Sequence, residues 1–259
     1  FYQFDEEEFR ARQYGQGYFD YKNTVLGKWT DDEYTAFYQT AVEGLLLEIV
    51  EAMKIVFLGD SITDAGRDKR NYHDMGSGYP KFAVEHIRDA FPDEDFEFIN
   101  MGISGNRTDQ LFDRLYADCI AFDPDIVSVL IGINDIWGRH KHLIETSYEQ
   151  ITANYRAILR SLKQKTNAKI IMLSPFLLDA EDKEVWRGEV EELVSIVHTL
   201  ADEYADAYVP LDEYFAEALK TQPEPQYYAA DGVHPNDNGR AFIGKHYFDA
   251  IAPLIRGEA

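Results

Sequence analysis

From Met53 onward the chain alternates short runs of β-branched and aromatic residues with longer amphipathic stretches, and this rhythm restricts it to one broad architecture. The runs lie at 54–58, 96–100, 125–131, 169–174 and 207–211; the amphipathic stretches lie near 79–91, 108–122, 145–165, 183–206 and 237–255. Short apolar runs of this kind suit strands buried on both faces of a parallel sheet. Strand and helix in alternation, joined by right-handed crossovers, predict a three-layer α/β/α domain around a parallel sheet of about five strands. The domain is expected to span 53–259.

Residues 1–52 read differently. Positions 1–38 hold twelve aromatic residues, among them Tyr14, Tyr18, Phe19, Tyr21, Trp29 and Tyr34. Thr30-Asp31-Asp32-Glu33 has the form of a capping box, which predicts a helix over 31–52. Tyr34, Tyr38, Ala41, Leu45 and Ile49 form its apolar stripe, a face suited to packing on the main domain, an absent upstream segment or a second copy in a homo-oligomer. A sugar-binding platform built from these aromatics is the alternative. Phe1 suggests a start upstream or a processed one, and Met53 is itself a candidate start.

The formal charge of −22 excludes nucleic acid and anionic membrane as expected partners, since both require a basic footprint. No stretch approaches 18 uncharged apolar residues, and no basic-then-apolar leader opens the chain, so a cytoplasmic location is the expectation. The single cysteine, Cys119, excludes an internal disulfide and a cysteine zinc cluster.

The first apolar run stops at Gly59-Asp60-Ser61-Ile62-Thr63. A hydroxyl just beyond the carboxyl end of a parallel strand faces the crevice where ligands bind in open sheets, which makes Ser61 a candidate nucleophile. The turn alone leaves a plain helix cap open. Three further segments decide between them. Asn100-Met101-Gly102-Ile103-Ser104-Gly105-Asn106 follows the second run, Ile131-Gly132-Ile133-Asn134-Asp135 the third, and Asp231-Gly232-Val233-His234-Pro235 precedes the last helix.

A serine needs a base, and His234 is the candidate; Asp231, three residues earlier, can fix its tautomer. The oxyanion formed by attack on an ester needs fixed donors, for which the Ser61 amide, the Gly105 amide and the Asn134 side chain are the candidates. Asp135 is the second choice for orienting His234.

In this order, GDSIT, SGN, GIND and DGVHP resemble the SGNH hydrolase superfamily, the GDSL esterases and lipases, over roughly 53–259. The resemblance implies a flavodoxin-like α/β fold and a serine ester hydrolase that uses no metal or other cofactor. Its catalytic residues would be Ser61, Asp231 and His234, with Ser61, Gly105 and Asn134 forming the oxyanion hole. GDSITDAGR, GSGYP, NMGISGN, IGINDIW and LSPF are similar to small bacterial esterases that deacetylate xylan-type sugars. Those enzymes often carry a tryptophan immediately before the catalytic aspartate, where Ala230 stands here.

The expected substrate is a small ester, an acetylated oligosaccharide by this resemblance. A lysophospholipase or thioesterase, a short-chain arylesterase and an inactive carbohydrate-binding protein are the alternatives. Asp60, Arg67 and Trp137 are candidate substrate contacts, on a rim expected to include Tyr79. His140 and His142 beside Asp135 invite a metal, but i, i+2 histidines do not share a helix face, and Arg139-His140-Lys141-His142 reads as a solvated loop. His73, His86, His198 and His246 show no partners in the sequence, and Cys119 reads as buried filler in a helix.

Overall fold

The computed structural model describes residue 36 and residues 52–258. The described residues after Ala36 belong to one compact unit, Ala52–Ala259. Of the expected helix over 31–52 the described residues are Ala36, which is helical, and Ala52, which is not; its stripe and the aromatic platform lie outside the described residues.

The unit opens with β1 (Met53–Gly59), the short helix α1 (Ser61–Asp64) and α2 (Tyr79–Ala90). Next come β2 (Phe96–Gly102), α3 (Thr108–Asp118), β3 (Ile126–Leu130), α4 (Ile133–His142) and α5 (Tyr148–Lys165). The chain then runs through β4 (Lys169–Leu173), α6 (Arg187–Tyr204), β5 (Ala207–Val209), α7 (Leu211–Ala218) and α8 (Asp237–Ile255). The five strands are parallel, in the order β2-β1-β3-β4-β5.

Alternation along β1 sends Val56 and Leu58 to one face and Ile55 and Phe57 to the other. The first pair joins Leu111 and Leu115 of α3, Tyr155 and Ile158 of α5, and Leu193 and Val197 of α6. The second pair meets Ala83 and Ile87 of α2 with Ile243, Tyr247 and Ile251 of α8. Both faces of the sheet are therefore covered, which is the expected three-layer α/β fold.

Three local expectations are corrected. The 139–142 segment is not a loop but the last turn of α4, and its cations sit where a helix C-terminus favours positive charge. The last strand stops at Val209, because Pro210 ends it and α7 begins at once, with Asp212 and Glu213 in its first turn and Leu211 and Phe215 buried. The stretch starting near 183 opens as a 3₁₀ segment, Glu181–Trp186, before α6. Cys119 is buried as expected but caps α3, and burial pushes its thiol up to about 12.

Register positions the site. Gly59 pairs with Gly102 of β2 and with Leu130 of β3, so three strands end at one level. The chain leaves β1 and β3 toward opposite ends of the sheet, and between strands diverging in this way a parallel α/β sheet opens a binding crevice.

Candidate active site

The turn that carries Ser61 is closed by tight packing. A Cβ on Gly59 would stand 2.2 Å from Thr63 Oγ1 and 2.6 Å from the Leu130 carbonyl, so this position accepts only glycine. Asp60 caps α1, its Oδ1 accepting from the Ile62 amide at 3.0 Å. Ser61 is thereby the first residue of a helix, whose opening amides have no partner within the helix.

The candidate base and the carboxylate expected to orient it come from one turn before α8. Asp231 Oδ1 accepts from the amides of Val233 (3.0 Å) and His234 (2.7 Å). Its Oδ2 lies 2.8 Å from His234 Nδ1, and His234 Nε2 lies 3.0 Å from Ser61 Oγ. A carboxylate only accepts, so Nδ1 carries the proton; in the neutral ring Nε2 is then free to accept from the Ser61 hydroxyl. The bond to Asp231 raises the His234 pKa above its ordinary value against the opposing effect of burial, and three donors hold Asp231 far below the usual carboxylate range although its burial works the other way. The Gly232 carbonyl accepts from the Leu178 amide at 2.9 Å, tying this turn to the segment after β4.

The other two segments reach the same rim. The Ile103 amide donates to the Gly59 carbonyl at 3.1 Å, holding the 103–106 loop against the end of β1. Gly105 is exposed with φ +82, a conformation that glycine takes without strain, and a Cβ there would touch nothing within 4 Å. Asn134, in the first turn of α4, donates from Nδ2 to the Asn106 carbonyl at 3.1 Å and keeps a second N–H on the same nitrogen.

Asp135 does not turn toward His234. Its two oxygens accept from the Thr108 hydroxyl (2.9 Å) and amide (3.0 Å), joining α4 to α3, and burial pushes its pKa up to about 6.

The three candidate substrate contacts separate. Trp137 is half-buried with its ring 5.7 Å from that of His234. Arg67 is 7% exposed, with Nε donating to the Gly102 carbonyl at 2.9 Å, and Asp60 is 1% exposed under the turn; neither presents its side chain to the rim. Tyr79 is also a core residue, wholly buried against Phe57 and Tyr247.

His140 bonds Glu189 at 2.7 Å, and among the described residues no group of three or more His, Cys, Asp or Glu could hold a metal ion. Four other histidines have structural contacts: His73 with the Phe98 carbonyl, and His86, His198 and His246 with Phe248, Tyr208 and Tyr214.

Sequence reasoning missed Arg114. From α3 it donates to the carbonyls of Gly59 (3.0 Å) and Met101 (2.7 Å) and to Asn106 Oδ1 (2.7 Å), beneath the site. It also missed Asp64, whose Oδ2 accepts from the Ser104 amide (2.8 Å) and hydroxyl (2.7 Å). No spacing signal marks either residue, because each ties together backbone and side-chain groups of separate segments.

A doubly wound sheet with a serine, a histidine and an aspartate in hydrogen-bond series at its switch point defines the hydrolase class to which these blocks pointed. The chain belongs to the GDSL-like lipase/acylhydrolase family, whose model matches residues 57–242, and it is a carboxylic ester hydrolase. It is 31% identical over 212 residues to an acetylxylan esterase of Geobacillus stearothermophilus, covering 79% of this chain and 96% of that protein. The crystal structure of that organism's acetylxylan esterase Axe2 superposes with a TM-score of 0.70 at 29% identity, covering 76% of this chain and 93% of Axe2. A Parabacteroides merdae protein named as a GDSL-like lipase gives a TM-score of 0.74 at 33% identity, covering 77% and 95%.

Proposed function

We propose that this esterase removes acetyl groups from xylan-type carbohydrate fragments through an acyl-enzyme, with Ser61 as nucleophile, His234 as general base and acid, and Asp231 holding the imidazole. The observation that carries this reading is the continuous series from Asp231 Oδ2 through His234 to Ser61 Oγ, at 2.8 and 3.0 Å. His234 Nε2 takes the hydroxyl proton as Oγ attacks the acetyl carbonyl, and the imidazolium that forms lies beside a carboxylate. The Ser61 and Gly105 amides and the second N–H of Asn134 receive the oxyanion. Collapse breaks the bond to the sugar oxygen, which takes the proton from His234. Water, deprotonated by the same nitrogen, then releases acetate and restores the serine.

Two things support the choice of substrate. The acetylxylan esterase relative matches this chain over nearly its full length, and the catalytic mutants of Axe2 replace a serine and a histidine by alanine. Trp137 beside His234 also offers an aromatic surface to a departing sugar.

The test is acetate release from acetylated xylo-oligosaccharides, alongside nitrophenyl esters of increasing acyl length, with Ser61→Ala as the blank. Fast acetate release with a steep fall beyond short acyl chains is expected. Ser61→Ala should lose at least about 10³-fold in turnover while keeping its fold. Good turnover of long esters with little acetate release would keep the serine and discard the sugar; unchanged turnover in Ser61→Ala would discard the serine.

A further inference from the structure

Behind the Trp137 face of His234 lies a buried lysine. Lys183, in the 3₁₀ segment Glu181–Trp186, is 4% exposed, and its ammonium lies 5.5 Å from the Trp137 ring centre and 5.7 Å from that of Trp186. The two indoles meet edge to face at 5.1 Å, and Trp137 in turn meets His234 edge to face at 5.7 Å. On the far side His140 stacks on Trp186 at 5.2 Å and bonds Glu189. The carboxylate that pairs with Lys183 is Asp182, at 3.0 Å, but Asp182 is itself 64% exposed, so water screens its charge while the ammonium stays in an aromatic enclosure. A methionine would fill the same space without desolvating a charge, so packing alone does not account for this residue.

We propose that Lys183 is a positioning residue for the catalytic base: it holds the Trp137 ring against His234 and keeps a fixed positive charge 5.5 Å from the centre of that ring. The inference rests on the reading of His234 as the base. The charged groups acting on the ring are Asp231 on its own turn, Asp60 at the end of β1, and Lys183. On α4, which carries Trp137, Arg139 and His140 are engaged with Glu189, the Lys141 ammonium lies 6.0 Å from the Trp186 ring centre, and Asp135 is bonded to Thr108. Asp231 favours the imidazolium, joined by Asp60 as it ionises toward pH 7, and Lys183 opposes it, so the cation preserves the neutral base at lower pH than Asp231 alone would allow.

The test is the pH profile of kcat/KM on nitrophenyl acetate for the whole chain and three variants. Lys183→Met should move the acid limb to higher pH by about half a unit, whereas Lys183→Arg, which keeps the charge, should leave the limb in place whatever it does to kcat. Lys183→Gln, which also removes the charge, should move the limb in the same direction as Lys183→Met. Equal loss at every pH in Lys183→Met, with its limb unmoved, overturns the proposal. If Lys183→Met does not fold, an unmoved limb in Lys183→Gln overturns it. Turnover that survives His234→Ala would instead overturn the base assignment beneath it.

Discussion

Arg114 donates to the carbonyl of Gly59 at 3.0 Å from a helix that begins 49 residues later in the chain, and the same guanidinium bonds Met101 and Asn106. One side chain thus fastens the end of β1 to the end of β2 and to the loop that carries Gly105. Its fourth partner, Asp118, lies one turn further along α3 at 2.8 Å.

Arg114→Met should therefore act on the site without touching a substrate. Two backbone carbonyls and a side-chain amide lose a charged donor, and Asp118 loses its cation. A stability loss of about 2 to 4 kcal/mol in urea unfolding is expected, with kcat lowered roughly tenfold or more as the donors drift. Unchanged kcat in the folded variant would remove Arg114 from any positioning role.

Asn134→Ala removes a proposed oxyanion donor together with the bond to the Asn106 carbonyl. Turnover should fall by about 10² to 10³ in kcat with KM little changed, because the interaction strengthens only as charge develops on the carbonyl oxygen. Asn134→Asp should do no better, since a carboxylate cannot donate. A loss confined to KM would place Asn134 in ground-state binding instead.

The Asp231 hydrogen bond is the chief reason that the His234 pKa is raised, so activity is expected to fall as pH drops through the raised value. In Asp231→Asn the imidazolium loses its carboxylate and the His234 pKa should decrease. The acid limb should move to lower pH while the plateau falls, on the order of 10⁴-fold. A plateau loss with a limb that moves upward would contradict the geometry.

Asp60 couples the same turn to stability. Burial raises its pKa to about 7, so the folded protein holds a proton there that the unfolded chain releases near pH 4. Stability is then fully present below about pH 4 on this account and is lost as pH rises toward 7. Asp135, raised to about 6, acts in the same direction, whereas Asp231, held low, withdraws its contribution only as pH falls below the unfolded carboxylate range. Asp60→Asn keeps the cap acceptor and removes the titration, and should flatten the decline in the urea midpoint between pH 4 and 7. An unchanged slope would show that Asp60 ionises normally in the fold.

The sheet and most of the proposed site were legible because each depends on local chemistry. Buried strands read as apolar runs, and the residues meant for the rim directly follow those runs. Ser61 and Asn134 are of this kind, and the 231–234 turn is marked by its own Asp-x-x-His spacing. Elements of the second layer were not legible: Arg114 and Lys183 act through partners far apart in sequence, and a basic residue in a helix or a short 3₁₀ segment reads as solvated surface. Arg67 failed in the opposite direction, since nothing in GDSITDAGR indicates that its guanidinium turns inward to the Gly102 carbonyl. The α4 helix was hidden by its own last turn, where four consecutive basic or imidazole side chains satisfy the helix end but resemble a loop.

Within the turn 231–234 one aspartate fastens both the backbone and the ring of the histidine that follows. Ser61 is positioned separately, by the strand end and the packing around Gly59. The two halves therefore have different failure modes. Strain in the sheet displaces the hydroxyl and leaves an intact acid–base pair facing nothing, whereas loosening of the segment before α8 carries aspartate and histidine away together. Damage to one half should therefore leave the internal geometry of the other in place.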